Sequence, residues 1–438
     1  MIPAELIVRK RDGGSLADDE WAAFFSGYLA GEIAEYQVAA LLMAIYFQGM
    51  DEAETRALTR VMIESGERWT WDGLDGPVGD KHSTGGVGDK VSLILAPLSA
   101  ACGIRVPMVS GRGLGHTAGT LDKLETIPGL RTGLEKADYD RLVREVGFAM
   151  GGQTENFAPL DRETYALRDV TGTIESIPLI TASIMSKKLA EGLDGLILDV
   201  KWGDGAFIQD REHAEELARL MIAVGESFGV RTEALLTAME IPLGRTVGHT
   251  LELREAIEVM QGADPDQRLL DVTIGLTERL LVLTGAAPDE AGARSMATQA
   301  LESGKALERF TAFVEAQGGD PRVIEDPDRL PVAPSRLELK APREAFLAEL
   351  PARRVGRLLV EMGGGRRVKG EEIDDEVGLV FPHPIGVRLA AGETWAVVHA
   401  RSDAGAERAG GVLESIVTWS EEAVETAPVV TARLSTGD

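Results

Sequence analysis

At 438 residues the chain is too long for one ordinary core, so two or three domains are expected. Acidic residues number 71 against 45 basic ones, and the formal charge of −26 argues against binding nucleic acid or an anionic membrane through general charge. Hydrophobic content of 44% suits a soluble globular protein, and no apolar run reaches the roughly 18 residues of a membrane span. The N-terminus, MIPAELIVRKRDGG, lacks the apolar stretch of a secretory signal. A single cysteine, Cys102, cannot form an internal disulfide, which points to a reducing cytoplasm. Lysine is sparse, so a Gly-rich stretch holding Lys81, His82, Lys90, Arg112, His116 and Lys123 stands out. It is a place to hold a small anion, unless these groups only pair with the surplus acids.

The first 67 residues read as helices. Asp18 and Asp19 are placed to cap a segment with Trp21, Phe24, Phe25 and Leu29 on one face. A second runs from about Glu35 to Gln48. A third begins at Asp51, where Asp51 and Glu54 have capping-box spacing, and ends near Gly66. Packing or dimer contact is their expected role. After a connector from Trp69 to Pro77 the pattern alternates. An apolar helix is expected at Val91 to Ala101, a strand at Arg105 to Val109, and β-type runs at Gly147 to Met150 and Leu193 to Val200. A helix follows at Asp210 to Gly225. Such alternation predicts an α/β domain with a mostly parallel sheet.

The segment SIPLITASIMSKKLAE, Ser176 to Glu191, has helix grammar: Ser176 as cap, Pro178 in the first turn, Gly192 beyond the end. Packed with the N-terminal helices, it would make a discontinuous helical domain from residues 1–67 and 160–192. The α/β domain would then comprise 70–159 and 193–330. Five prolines between Asp320 and Pro342 mark a shift to a C-terminal α+β module, 343–438, with strands expected in EEIDDEVGLVF and GETWAVVHA.

Two loops carry the chemistry. In DKHSTGGVGDKVS, Asp80 to Ser92, hydroxyls and unshielded backbone N–H groups precede a helix, the arrangement that cradles phosphate. Lys81 adds a point charge and His82 a group that titrates near neutrality. The second loop, SGRGLGHTAGTLDKLE, Ser110 to Glu125, follows a predicted strand and opens into a helix. Neither is a P-loop, and GRGLGH falls short of a dinucleotide fingerprint because His116 stands where the third glycine is required. Taken singly, each is also compatible with a turn that merely packs tightly.

Together the loops resemble the thymidine and pyrimidine-nucleoside phosphorylase family. Ser110 to Glu125 fits that family's signature nearly throughout, with Ala118 where glycine is more usual. The likeness continues through YALRDVTGTIESIPLITASIMSKKLAEGL (Tyr165 to Leu193) and DVKWGDGAF (Asp199 to Phe207), and more loosely to both ends. It implies a pentosyltransferase with a small helical domain, a large α/β domain and the C-terminal α+β module, dimeric through its helices, with a cleft that closes by hinge motion. It assigns phosphate to Lys81, Ser83, Ser92, Ser110 and Thr120. The pyrimidine falls to His82, Tyr165, Arg168, Ser183 and Lys187, of which His82, Arg168 and Lys187 are catalytic. Ser183 and Lys187, four apart, share a helix face, whereas Lys188 points about 100° away as a surface or structural charge. Ordinary ion pairs of Arg168 and Lys187 with Asp169, Glu191 or Asp194 are the plainer alternative.

The implied reaction converts thymidine and phosphate to thymine and 2-deoxy-α-D-ribose 1-phosphate, in pyrimidine salvage. Met108 carries the expected sugar selectivity, since a lysine at the matching position of broader relatives could donate to a 2′-hydroxyl and a thioether cannot. The alternatives are a broad pyrimidine-nucleoside phosphorylase that also uses uridine, a phosphoribosyltransferase of related architecture, and an inactive relative kept as a binding subunit. No organic cofactor or metal is expected. Some relatives bind a monovalent cation at positions matching Gly88, Leu243, Thr246 and Glu255, and here the ammonium of Lys90 is expected to stand in for it. His213, His249, His383 and His399 lie outside the matching blocks and read as surface or packing histidines.

Overall fold

The computed structural model describes residues 1–113, 115–366 and 371–437; Leu114, within the second Gly-rich loop, lies outside them. Four helices open the chain: α1 (Pro3–Arg11), α2 (Asp18–Leu29), α3 (Glu35–Gln48) and α4 (Glu52–Glu64). Asp51 caps α4 through a 2.8 Å bond from the Glu54 N–H, and Glu54 returns a 3.3 Å bond to the Asp51 N–H. For α2 the capping differs from expectation. Ala17 is the N-cap, its N–H bonded to Glu20, while Asp18 and Asp19 lie in the first turn, where they favour the helix dipole.

The chain continues through β1 (Gly79–Ser83), α5 (Val91–Ala101), β2 (Val106–Val109), α6 (Thr120–Leu124), α7 (Lys136–Glu145) and β3 (Phe148–Gly151). It returns to the helical bundle as α8 (Pro159–Thr171) and α9 (Ile177–Ala190). Leu160, Leu167, Leu179 and Ala182 of these two helices join Trp21, Phe24, Leu41 and Leu58 in one apolar core. The C-terminal half of α9 buries Met185, Leu189 and Ala190 in the α/β core instead. Apolar residues all round α9 fit a helix covered on both sides.

Then follow β4 (Gly195–Trp202), α10 (Arg211–Ser227), β5 (Arg231–Ala238), β6 (Thr246–Val247), α11 (His249–Met260), α12 (Gln267–Thr284), α13 (Glu290–Glu302), α14 (Lys305–Ala316) and α15 (Arg322–Glu325). Strands β1, β4 and β5 are parallel, with Ser83 opposite Asp199 and Lys201 opposite Thr237. Strands β2 and β3 form a second parallel pair, tied to the start of β1 by a bridge between Val78 and Arg105. The carboxyl ends of β1, β2 and β4 therefore open toward one crevice, the usual site for ligands in such sheets.

The C-terminal elements are β7 (Ser335–Lys340), β8 (Ala345–Glu349), α16 (Ala352–Leu359), β9 (Gly378–Val380), β10 (Arg388–Leu389), β11 (Thr394–Ala400), α17 (Asp403–Ile416), β12 (Thr418–Ser420) and β13 (Val430–Leu434). They enclose a separate core that includes Leu347, Val355, Leu379, Trp395 and Leu413. Strand exchange blurs the expected boundary at 343. Strand β7 begins before it, β6 joins the module's sheet through β9, and β13 runs back antiparallel to β5. Pairing with β13 covers an edge that β5 would otherwise leave open.

Candidate active site

Lys81 projects from β1 into a buried charge network. Its Nζ lies 3.3 Å from Asp199 Oδ2 and 3.3 Å from Ser92 Oγ. Asp199 also pairs with Lys201 at 3.0 Å and accepts the Thr237 hydroxyl at 2.7 Å. Lys201 reaches Asp89 at 3.7 Å, and Asp89 accepts the Ser83 hydroxyl at 2.6 Å. Lys123 of α6 donates to the Asp89 main-chain carbonyl and pairs with Glu252 at 2.7 Å. Burial pushes the Asp89 carboxyl up, but Lys201, Lys81 and Lys123 outweigh it and hold the group far below its ordinary value. Lys81, Lys123 and Lys201 are thus balanced by Asp89, Asp199 and Glu252. The Ser83 hydroxyl is engaged by Asp89 in this arrangement.

Ser110 ends β2, its N–H bonded to the Gly151 carbonyl at 2.8 Å, and Thr120 begins α6. Between them the second loop doubles back so tightly that a Cβ on Gly119 would lie 2.1 Å from the Gly113 nitrogen. Phe207 lies between the two loops, its ring 3.4 Å from where a Cβ on Gly85 would stand and 3.5 Å from one on Gly115. His116 meets the Gly205 carbonyl at 3.2 Å, with its ring 5.4 Å from Phe207.

On the helical side, Lys187 Nζ lies 2.5 Å from Asp161 Oδ2, 2.6 Å from the Ser183 carbonyl and 3.2 Å from Ser183 Oγ. Ser183 and Lys187 share a helix face as expected. The carboxylate partner, however, is Asp161 of α8 and not Asp169, Glu191 or Asp194. Among the described residues Arg168 has no carboxylate within bonding distance. Its Nε, Nη1 and Nη2 donate to the carbonyls of Thr173, Leu179 and Ile174 at 3.1, 3.1 and 2.6 Å. Burial pushes this guanidinium down to about 10. Tyr165, half exposed, places its ring 5.9 Å from the guanidinium.

His82, beside Lys81 on β1, is where the two sides meet. Desolvation, then Lys188, Lys187 and Lys81, hold the imidazole well below its usual value, with Asp89 opposing. It is neutral at pH 7, able to donate one N–H but not to bring a positive charge. Lys188 is a structural charge, and a buried one: it bonds Asp80 at 2.5 Å, Glu191 at 2.7 Å and the Val109 carbonyl at 3.0 Å. It joins α9 to the ends of β1 and β2.

Met108 does not face the crevice. It is 1% exposed and pairs with Met150 inside the α/β core. This burial is what a packing residue shows, the plainer alternative to the sugar-side role expected of it. Lys90 donates to the carbonyls of Leu243 and Thr246 at 2.9 and 3.0 Å, to Thr246 Oγ1 at 3.3 Å and to Glu255 at 2.8 Å. Asp89, Asp161, Asp199 and Lys201 escaped the sequence reading. One local signal existed, since Asp199 and Lys201 are two apart on one strand and so share a face.

Comparison with known proteins decides the family. A family model described as glycosyl transferase family, a/b domain, matches residues 75–307, and its helical bundle domain matches 4–66. A pyrimidine nucleoside phosphorylase C-terminal domain matches 346–418. A thymidine phosphorylase of Sinorhizobium medicae (strain WSM419) is 45% identical over 99% of both chains. One of Agrobacterium fabrum (strain C58 / ATCC 33970) is 46% identical over 99% of this chain and 100% of its own. The chain belongs to the thymidine and pyrimidine-nucleoside phosphorylase family. A pyrimidine-nucleoside phosphorylase of Staphylococcus haemolyticus (strain JCSC1435) is 44% identical over 91% of this chain and 92% of its own. The crystal structure of anthranilate phosphoribosyltransferase from Thermus thermophilus superposes with a TM-score of 0.59 at 20% identity, covering 71% of this chain and 98% of that one. That likeness shows a shared fold.

Proposed function

We propose that this enzyme cleaves pyrimidine nucleosides with phosphate, turning thymidine into thymine and 2-deoxy-α-D-ribose 1-phosphate. The observation that supports this most is that β1, which carries Lys81 and His82, packs against α9, which carries Ser183 and Lys187. Phosphate is held by Lys81 and the hydroxyls of Ser83, Ser92, Ser110 and Thr120, on one face of C1′. The base lies against Tyr165 and Ser183, with Arg168 and Lys187 toward its oxygens. A phosphate oxygen forms its bond to C1′ as the C1′–N1 bond breaks with inversion, and the electron pair leaves on the base. Arg168 and Lys187 stabilise that charge as it grows, and the His82 N–H donates to it. Closure of the cleft excludes water and favours phosphate over hydrolysis.

No organic cofactor enters this chemistry, and the Lys90 ammonium takes the place of a monovalent cation. The enzyme is read as a cytoplasmic homodimer. The apolar side chains of Val8, Tyr36 and Phe47 stand exposed on α1 and α3, which supports a contact between copies there. Among the described residues no helix is long and apolar enough to cross a membrane.

The test is phosphate-dependent release of thymine from thymidine. Absence of release from thymidine, deoxyuridine and uridine alike overturns the proposal. Burial of Met108 favours a second reading, broad pyrimidine-nucleoside specificity, because it removes the reason to exclude a 2′-hydroxyl. Side-by-side turnover decides between them. Preference for deoxyuridine over uridine by roughly 10- to 100-fold, the range of about 1–3 kcal/mol, supports the thymidine reading. Equal rates, with Met108→Lys changing nothing, support the broad one.

A further inference from the structure

Two arginines of the C-terminal module reach the loops around the crevice. Arg366 donates from Nη1 to Asp122 Oδ2 at 3.0 Å and from Nη2 to Oδ1 at 2.8 Å. Asp122 lies in α6 with 2% of its surface exposed, and its Oδ2 also accepts the Gly113 N–H at 2.7 Å. Arg112 reaches its Oδ1 at 3.0 Å. Burial pushes the Asp122 carboxyl up, yet Arg366 and the Gly113 N–H hold it below its ordinary value. One carboxylate therefore fastens α6, the second Gly-rich loop and the C-terminal module together.

Arg353, near the start of α16, engages the loop after β4. Its backbone N–H donates to Asp204 Oδ2 at 2.8 Å, its Nε to the Asp204 carbonyl at 2.8 Å and its Nη2 to the Ala206 carbonyl at 2.6 Å. The helix also touches both loops directly. A Cβ on Gly356 would lie 2.4 Å from the His116 carbonyl oxygen, and one on Gly205 would lie 2.6 Å from Ala352 Cβ. Gly-rich loops have few side chains with which to anchor themselves, so their placement falls to whatever packs behind them. The superposed phosphoribosyltransferase is covered over 98% of its length, whereas 71% of this chain is covered. The shared fold is complete with much of this chain to spare.

We propose that Arg366 and Arg353 are positioning residues, holding Gly113, His116 and the 203–207 loop in the geometry the reaction needs, with the C-terminal module as their support. The proposal rests on the phosphorolysis reading for its kinetic consequence. A bidentate guanidinium fixes both distance and orientation of a carboxylate, which a lysine cannot do. Misplacing such a loop by about 1 Å costs on the order of 100-fold in rate.

Arg366→Met, Arg366→Lys, Arg353→Met and Asp122→Asn with Arg366→Met are compared with wild type in the full-length enzyme. Arg401→Met serves as control, because Arg401 pairs with Asp374 and Glu376 of the module itself. Thymidine phosphorolysis and amide hydrogen exchange are both read. Arg366→Met is expected to lower kcat/KM by roughly 10- to 100-fold, with Arg366→Lys recovering part of it. The double variant also weakens the bonds from Arg112 and the Gly113 N–H to residue 122, so it should lose at least as much as the single. Exchange should rise in residues 110–120 for Arg366→Met and in 203–209 for Arg353→Met, with the module's core unchanged. Wild-type exchange in both loops overturns the proposal. So does faster exchange throughout the module, which would mark a merely structural role. If wild type releases no pyrimidine, the phosphorolysis reading fails while the exchange measurement still decides the positioning.

Discussion

The two sides of the crevice treat their cations differently. On the phosphate side Lys81, Lys123 and Lys201 share Asp89, Asp199 and Glu252 inside the α/β core. On the base side Lys187 has one carboxylate, Asp161, and Arg168 rests on three backbone carbonyls. A permanent anion such as phosphate needs fixed donors in a framework that is stable before it arrives. The charge on a departing base exists only briefly, and it calls for cations whose partners leave room for a new one. The proposed phosphate side is accordingly built into the fold, while Lys187 is partly exposed at the crevice.

The largest effect tests whether the buried lysine next to that network, Lys90 at the head of α5, is framework as well. Lys90→Ala strands Glu255 and the Leu243 and Thr246 carbonyls without their donor, a loss expected to cost about 3–5 kcal/mol in denaturant unfolding. In Lys90→Ser, potassium chloride should restore stability that choline chloride does not. Lys90→Ala as stable as wild type would mean that burial and pairing of a lysine in this core do not mark it as framework.

On the base side the loss should fall on turnover instead. Lys187→Ala is expected to remove about 3–4 kcal/mol of transition-state stabilisation, leaving the melting temperature near that of wild type. Arg168→Ala should lose as much activity, but from a weakened fold. Three carbonyls lose their donor, so its melting temperature should drop as well. Activity within roughly tenfold of wild type, under about 1.4 kcal/mol, in both variants refutes their catalytic roles.

Acid should loosen the phosphate side through His249, at the head of α11. Burial is the main reason this imidazole is pushed down to about 4 from 6.5, with Asp122 and Glu252 opposing. Its folded value lies below its unfolded one, so its contribution is complete above about pH 6.5 and is lost as pH falls toward 4. The decline should approach about 3 kcal/mol, and His249→Gln should flatten the stability profile over that window. A variant profile as steep as wild type's would place the acid sensitivity elsewhere.

The smallest effect concerns single hydroxyls. Ser83→Ala and Ser110→Ala should each raise the apparent KM for phosphate more than that for thymidine, by up to roughly tenfold, the worth of one hydrogen bond near 1 kcal/mol. Equal shifts for both substrates would mean that the anion sits on another loop.

Much of this molecule is readable one segment at a time. Asp51 with Glu54, Pro178 and Gly192 mark helix ends because capping is settled within a few residues. The Gly-rich runs ahead of α5 and α6 mark candidate anion loops because unshielded N–H groups before a helix are a local property. Ser183 and Lys187 share a face by helical spacing alone. The partners of the charged groups are another matter. Asp161 and Lys187 are 26 residues apart, Lys81 and Asp199 lie on neighbouring strands, and Arg366 reaches Asp122 across 244 residues. Lys188 reads as a surface or structural charge until Asp80, Glu191 and Val109 close around it. Met108 reads as a selectivity residue until β2 is seen with both faces covered. Ion pairing and burial depend on which segments are stacked, and the order of parallel strands is set by packing over the whole domain. Local patterns therefore locate the chemistry, while the assembled chain determines which charges are spent on the framework and which remain for a substrate.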